Sequence, residues 1–189
     1  MSQRLFMRVW VVVSLLAFLA ACASPPVIQG ADRSAFSRTG RFAVTVTEPG
    51  TAPQAVQGGF AWRDSGQTQL LDLANPMGSV LARVEISPAR AVLIRSDGSR
   101  EVAPDADALL AQVVGTDMPI RGLKQWLQGE VDAAATQVTR GENGRPTALV
   151  SNGWAVRLSR YDTKGPRMLV LERRHDAQQV RVRLVVDGA

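Results

Sequence analysis

The sequence predicts a mainly β fold, a single antiparallel sheet curled towards a barrel, with two short helices inserted once along its course. Three observations predict it. About ten stretches alternate apolar and polar residues or form short apolar runs. Turn pairs such as Asp97-Gly98 and Asn143-Gly144 separate several of them. Helical spacing occurs once, between Pro104 and Gly129. An antiparallel sheet of that many strands does not stay flat. The pattern leaves two versions open: a filled barrel or sandwich with the helices packed on one end, or a hollow one whose opening the helices cover.

The folded part is expected to begin near Ser34. In the first strand Phe42, Val44 and Val46 share one face, with Arg41, Ala43, Thr45 and Thr47 on the other. The second, Ala55 to Trp62, places Val56, Gly58, Phe60 and Trp62 on one side, and its Gly58-Gly59 pair predicts a bulge or bend. Gln67 to Ala74, Ser79 to Ile86 and Arg90 to Ser96 follow. Pro104-Asp105-Ala106-Asp107 then opens a helix carrying Leu109, Leu110, Val113 and Val114, its acidic residues placed at the positive end of the helix dipole, and Gly115 ends it. A second helix, Pro119 to Gln128, gathers Ile120, Leu123, Trp126 and Leu127 on one face and stops at Gly129. Strands resume over Thr136 to Arg140, Arg145 to Ser151, Gly153 to Tyr161, Arg167 to Arg174 and Gln178 to Val186.

Composition narrows the function. The 189 residues hold one Cys and one His, too few for a zinc cage of Cys and His ligands. The formal charge is +5, from 22 basic and 17 acidic residues. The basic residues are scattered instead of clustered on one element, which argues against a nucleic-acid partner. Neither a GxxxxGK nor a GxGxxG phosphate loop is present. His175 beside Asp176 suggests a hydrolase only weakly: no GxSxG elbow accompanies it, and a polar hairpin turn explains Arg173-Arg174-His175-Asp176. The protein is read as a non-enzyme without cofactor or metal.

Residues 1–21 read as an export signal, with Arg4 and Arg8 before an uncharged run from Val9 to Ala21. That run is shorter than the about 20 apolar residues of a membrane-crossing helix. Its end, Leu19-Ala20-Ala21-Cys22, resembles the bacterial lipobox. The resemblance implies cleavage before Cys22, a diacylglycerol on its thiol and an acyl chain on its new amino group. Three chains anchor a protein essentially permanently. Ala23 replaces the aspartate that retains a lipoprotein in the inner membrane in the enterobacterial pattern, so the expected address is the periplasmic face of the outer membrane. Residues 22–33, with Ser24, Pro25 and Pro26, form the lipidated tether, and 34–189 form the domain.

Several stretches in order resemble one family, the outer-membrane lipoprotein acceptor LolB of Gram-negative bacteria. They are Gly40-Arg41-Phe42; Phe60-Ala61-Trp62; Leu73-Ala74-Asn75-Pro76-Met77-Gly78-Ser79; Met118-Pro119-Ile120 with Leu123-Lys124-Gln125-Trp126-Leu127-Gln128-Gly129; and Trp154 with Tyr161-Asp162-Thr163. The resemblance implies a half-open β-barrel with a helical lid over an apolar cavity that accepts the acyl chains of other lipoproteins. It also implies a soluble LolA-like carrier as donor and outer-membrane phospholipid as destination. The lipobox argues against the carrier itself. At about 0.8 kcal/mol per buried CH₂, an acyl chain cannot cross water unprotected, so downhill hand-over between pockets needs no covalent step. The competing reading is a structural or assembly lipoprotein with a filled barrel, an envelope docking module.

Within that resemblance, Asn75, Pro76, Met77 and Gly78 are the membrane-delivery loop, a tight turn with an apolar tip. Met77 stands where the enterobacterial pattern has Leu, a swap that conserves volume. Strand phase proposes Phe42, Val44, Val46, Phe60, Leu123, Val156 and Met168 as cavity lining. Trp62, Trp126 and Trp154 either line the cavity with them or fill a core. Arg121 and Lys124 flank the apolar face of the second helix and read as a solvated face. The protein is expected to be a monomer.

Overall fold

The computed structural model describes residues 36–114 and 120–188. The expected signal, Cys22, the tether, Gly115 and Pro119 lie outside the described residues. The strands are β1 (Phe36–Thr47), β2 (Gln54–Asp64), β3 (Gln69–Ala74), β4 (Val80–Ile86), β5 (Ala91–Arg95), β6 (Arg100–Ala103), β7 (Ala135–Arg140), β8 (Pro146–Ser151), β9 (Trp154–Tyr161), β10 (Pro166–His175) and β11 (Gln178–Val186). Between β6 and β7 run α1 (Ala106–Val114) and α2 (Ile120–Gln128).

All eleven strands form one sheet in the order β6-β5-β4-β3-β2-β1-β11-β10-β9-β8-β7. Each pair of neighbours is antiparallel and consecutive in sequence except β1 and β11, which join the two wings at the centre with Val44 opposite Val182. β6 and β7 are the outer edges, and the sheet is not closed. The helices connect those edges across the inner face: α1 packs on β5 and β6, α2 packs on β10, and the two helices touch. The expected curled sheet with a helical lid is the observed one.

Two local expectations differ. The sequence gives no sign of β6, because four residues, two of them charged, are too short to show alternation; the Asp97-Gly98 turn that was expected to close β5 instead folds β6 back on it. The Gly58-Gly59 pair makes no bulge, since β2 pairs with β1 without interruption from Gln54 to Asp64. A register shift falls instead between Leu73 and Ala74 where β3 meets β4. Gly58 is needed for close approach: a Cβ there would lie 2.1 Å from the Ala74 carbonyl oxygen and 3.1 Å from the Phe42 ring.

The helix ends follow from their residues. Asp105 caps α1, its Oδ1 accepting from the Ala108 N–H at 2.9 Å, a contact of about 1 kcal/mol. At the end of α2 the Gly129 N–H reaches the Trp126 carbonyl and the Glu130 N–H the Gln125 carbonyl, a Schellman ending that requires the φ of +76° at Gly129. The last turn of α2 sits on the β9–β10 turn so closely that a Cβ on Gly165 would be 2.2 Å from the Leu127 carbonyl oxygen. Around it lies a packed part of the core, where Trp126, Leu127, Leu149, Trp154, Val156, Leu158, Leu169 and Leu171 are all essentially inaccessible.

Candidate functional site

Across β1, β11 and the strands beyond them the inner face is not filled. A cavity of about 400 Å³ lies there, within the roughly 300–1,000 Å³ typical of small-ligand pockets. Its walls are Phe42, Val44 and Val46 of β1, Phe60 of β2, Leu71 and Leu73 of β3, Val84 of β4, and Val180, Val182 and Leu184 of β11. Leu110 of α1, Ile120 and Leu123 of α2, and Trp154 complete the apolar lining. The polar lining residues are Glu48, Thr51, Gln54 and Gln178. Gln178 Nε2 donates to Glu48 Oε1 at 2.6 Å, and Glu48, Thr51 and Gln54 are exposed, so this polar group marks the mouth. An interior with this lining offers burial to a hydrocarbon and a hydrogen bond only at the rim.

The hollow follows from side-chain size. Facing positions Val44 and Val182, and Val46 and Val180, are short β-branched residues. The two large wall residues on β1 and β2 lie over glycine: Phe42 is paired with Gly58, and Phe60 with Gly40. Gly40 has no room for a side chain either, because a Cβ would fall 2.2 Å from the Val185 carbonyl oxygen.

Ion pairs hold the lid. Lys124 Nζ on α2 lies 2.6 Å from Asp64 Oδ2 on β2, whose side chain is 4% exposed. The sequence reading of Lys124 as solvated is therefore corrected: it satisfies a buried carboxylate. Arg121 meets Asp105 at 2.8 Å and Asp107 at 3.2 Å, tying α2 to the start of α1. Near the start of β1, in phase with Phe42 and opposite Trp62, Arg38, 3% exposed, donates two hydrogen bonds from Nη1 to the Asp162 carboxylate and one from Nη2 to the Pro166 carbonyl. Burial alone would raise the Asp162 carboxyl, but Arg38 and the N–H groups of Lys164 and Gly165 outweigh it and hold it below the ordinary carboxylate range.

The Asn75-Pro76-Met77-Gly78 turn is closed by its own residues. Asn75 Oδ1 accepts from the N–H groups of Met77 and Ser79, both at 3.0 Å, and the Gly78 N–H reaches the Asn75 carbonyl at 2.9 Å. Gly78 takes a φ of +91°. The turn thus presents Met77, 93% exposed, with Val80 and Leu81 also exposed behind it.

Of the residues named from sequence as lining, the cavity brings together Phe42, Val44, Val46, Phe60, Leu123 and Trp154. Trp62, Trp126 and Val156 are corrected to the packed core: each is at most 1% exposed and none is on the cavity wall. The Trp126 Nε1–H is spent on the buried Asp132 carboxylate at 2.7 Å. Met168 is corrected to the outer face, because it pairs with the exposed Val185, while its neighbour Leu169 pairs with the inward Leu184. The wall residues Val180, Val182 and Leu184 were not singled out, although the strict alternation of β11 marks them as inward. His175 is exposed on the β10–β11 turn, 3.3 Å from Asp176. Among the described residues no cluster of His, Cys, Asp and Glu could hold a metal.

A family model described as "Outer membrane lipoprotein LolB" matches residues 34–188. Outer-membrane lipoprotein LolB of Bordetella pertussis is 50% identical over 175 residues, covering 91% of this chain and 88% of that one. The LolB of Bordetella petrii is 47% identical, with 95% and 92% covered. That of Cupriavidus metallidurans is 35% identical, with 90% of each covered. Among solved structures, a LolA superfamily protein from Nitrosomonas europaea has a TM-score of 0.43 and 11% identity over 84% of this chain and 88% of that one, a likeness too loose to bear on function.

Proposed function

The chain belongs to the outer-membrane lipoprotein LolB family, and from that membership we propose that its cavity takes the acyl chains of lipoproteins handed over by a LolA-like periplasmic carrier and releases them into the inner leaflet of the outer membrane. The protein is an outer-membrane lipoprotein that acts in lipoprotein localisation. The observation that carries the finer reading is the cavity of about 400 Å³, apolar throughout except at its mouth. A filled-barrel docking module would have no use for it and is not favoured.

In this reading Cys22 carries the protein's own lipid, and residues 22–33 tether a domain that begins at residue 34. The chain works as a monomer, and transfer runs downhill without a covalent step, the cavity binding acyl chains more tightly than the carrier and less favourably than the bilayer. Met77 enters the acyl region of the leaflet, and its turn is rigid enough to hold it there because Asn75 fixes the backbone on both sides. The test is to mix residues 23–189 with a carrier loaded with a lipoprotein and ask which protein the cargo leaves with. Cargo on this protein is expected; cargo that stays on the carrier while a control acceptor takes it contradicts the reading. Met77→Glu should still accept cargo and fail to deliver it to vesicles. Normal delivery would remove Met77 from the mechanism.

A further inference from the structure

The sheet has a third edge besides β6 and β7. β2 pairs with β1 from Gln54 onward, but its ladder with β3 begins only at Gly59, opposite Ala74. Along Gln54–Gly58 no residue of β3 is paired opposite β2, and β3 comes close only at the last of these, where the Ala74 carbonyl lies against Gly58. The two outer edges are protected in ways known to discourage pairing. β6 is four residues long and carries Arg100 and Glu101. β7 pairs with its neighbour in broken register and holds Gln137 at a φ of +51°. The edge of β2 has no such guard: it is five residues without charge or proline, about 17 Å of extended chain.

This edge borders the cavity. Gln54, its first residue, lines the mouth. Val56, 63% exposed, lies opposite the wall residue Val44. We propose that Gln54–Gly58 of β2 receives the extended polypeptide that follows the acylated first residue of a cargo lipoprotein, paired as an added strand while the acyl chains occupy the cavity. This rests on the acyl-binding reading above. A lipoprotein's chains hang from its first residue, so its polypeptide starts at the mouth when the chains are inside. Pairing through backbone groups is indifferent to side chains, which suits an acceptor of cargoes whose first residues differ.

The experiment is residue-resolved amide hydrogen exchange on the protein alone, with palmitate, and with a triacylated cysteine bearing a short uncharged peptide. The lipopeptide should slow the outward-facing amides within Gln54–Gly58 by about tenfold or more, and palmitate should not. N-methylating alternate amides of the peptide should weaken its binding about tenfold. Binding of both ligands with the same exchange at this edge overturns the added strand and leaves the cavity reading intact. Binding of neither overturns both. Protection of the edge in the unliganded protein assigns it to another part of this chain, or to a second copy if it rises with protein concentration, and overturns the proposal either way.

Discussion

One cross-strand row passes through both halves of the molecule. Val156 on β9 faces Leu171 on β10, Leu171 faces Val182 on β11, and Val182 faces Val44 on β1. At one end Val156 and Leu171 are each 1% exposed in a packed core; at the other Val182 and Val44 are cavity wall. The row is uniform aliphatic residue, so the strands do not make the difference. What lies above them does. The last turn of α2 brings Trp126 and Leu127, both inaccessible, down beside β10. Its first turn offers Ile120 and Leu123 to the cavity, and α1 adds Leu110. One short helix thus seals half of the inner face and roofs the other half. The packed half can hold the fold while the hollow half stays free to change occupant.

The largest break in this comparison is Trp126→Ala, which should cost about 3–5 kcal/mol and lower Tm by about 10 °C or more, measured by calorimetry. Removing Lys124 comes next. Lys124→Met leaves the buried Asp64 carboxylate without a counter-charge, its Oδ1 still accepting from the Gly66 N–H, a loss of about 3 kcal/mol, and adding Asp64→Asn should return part of it. Oversized residues sharpen the contrast directly. Val156→Trp overpacks the filled half and should cost about 1–3 kcal/mol. Val44→Trp, on the same row, has room and should cost less than about 1 kcal/mol, because its ring enters existing space.

The smallest effect is on pH. The Asp162 carboxyl is held below its ordinary value in the folded chain, so its contribution is full above about pH 4, the unfolded value, and is lost as pH falls through the lower folded one. The stability gap between the native protein and Asp162→Asn should stay constant from neutral pH to about pH 5 and shrink below that, read from urea midpoints.

The sheet and lid were legible because alternation and helical spacing report which face of an element is buried. β11 shows this best, with Val180, Val182, Leu184 and Val186 inward and Arg181 and Arg183 outward. The cavity was legible only in part, because burial and lining look alike in one strand. Trp62 and Phe60 share a face of β2, yet Phe60 borders the cavity and Trp62 does not. The distinction depends on what stands across the gap. Met168 failed for a simpler reason: a phase error of one residue reverses a strand. The Met77 turn was readable from four residues because its geometry is set locally by Asn75, Pro76 and Gly78.

The most direct test of the hollow half is titration with a fluorescent palmitate analogue of the native protein and Val44→Trp, with Tm measured on both. The cavity predicts saturable binding to the native protein and loss of about tenfold or more in affinity in Val44→Trp, with Tm changed by no more than about 3 °C. Equal binding by a folded Val44→Trp would mean that the acyl chain sits elsewhere and would contradict the division into a packed half and a receiving half.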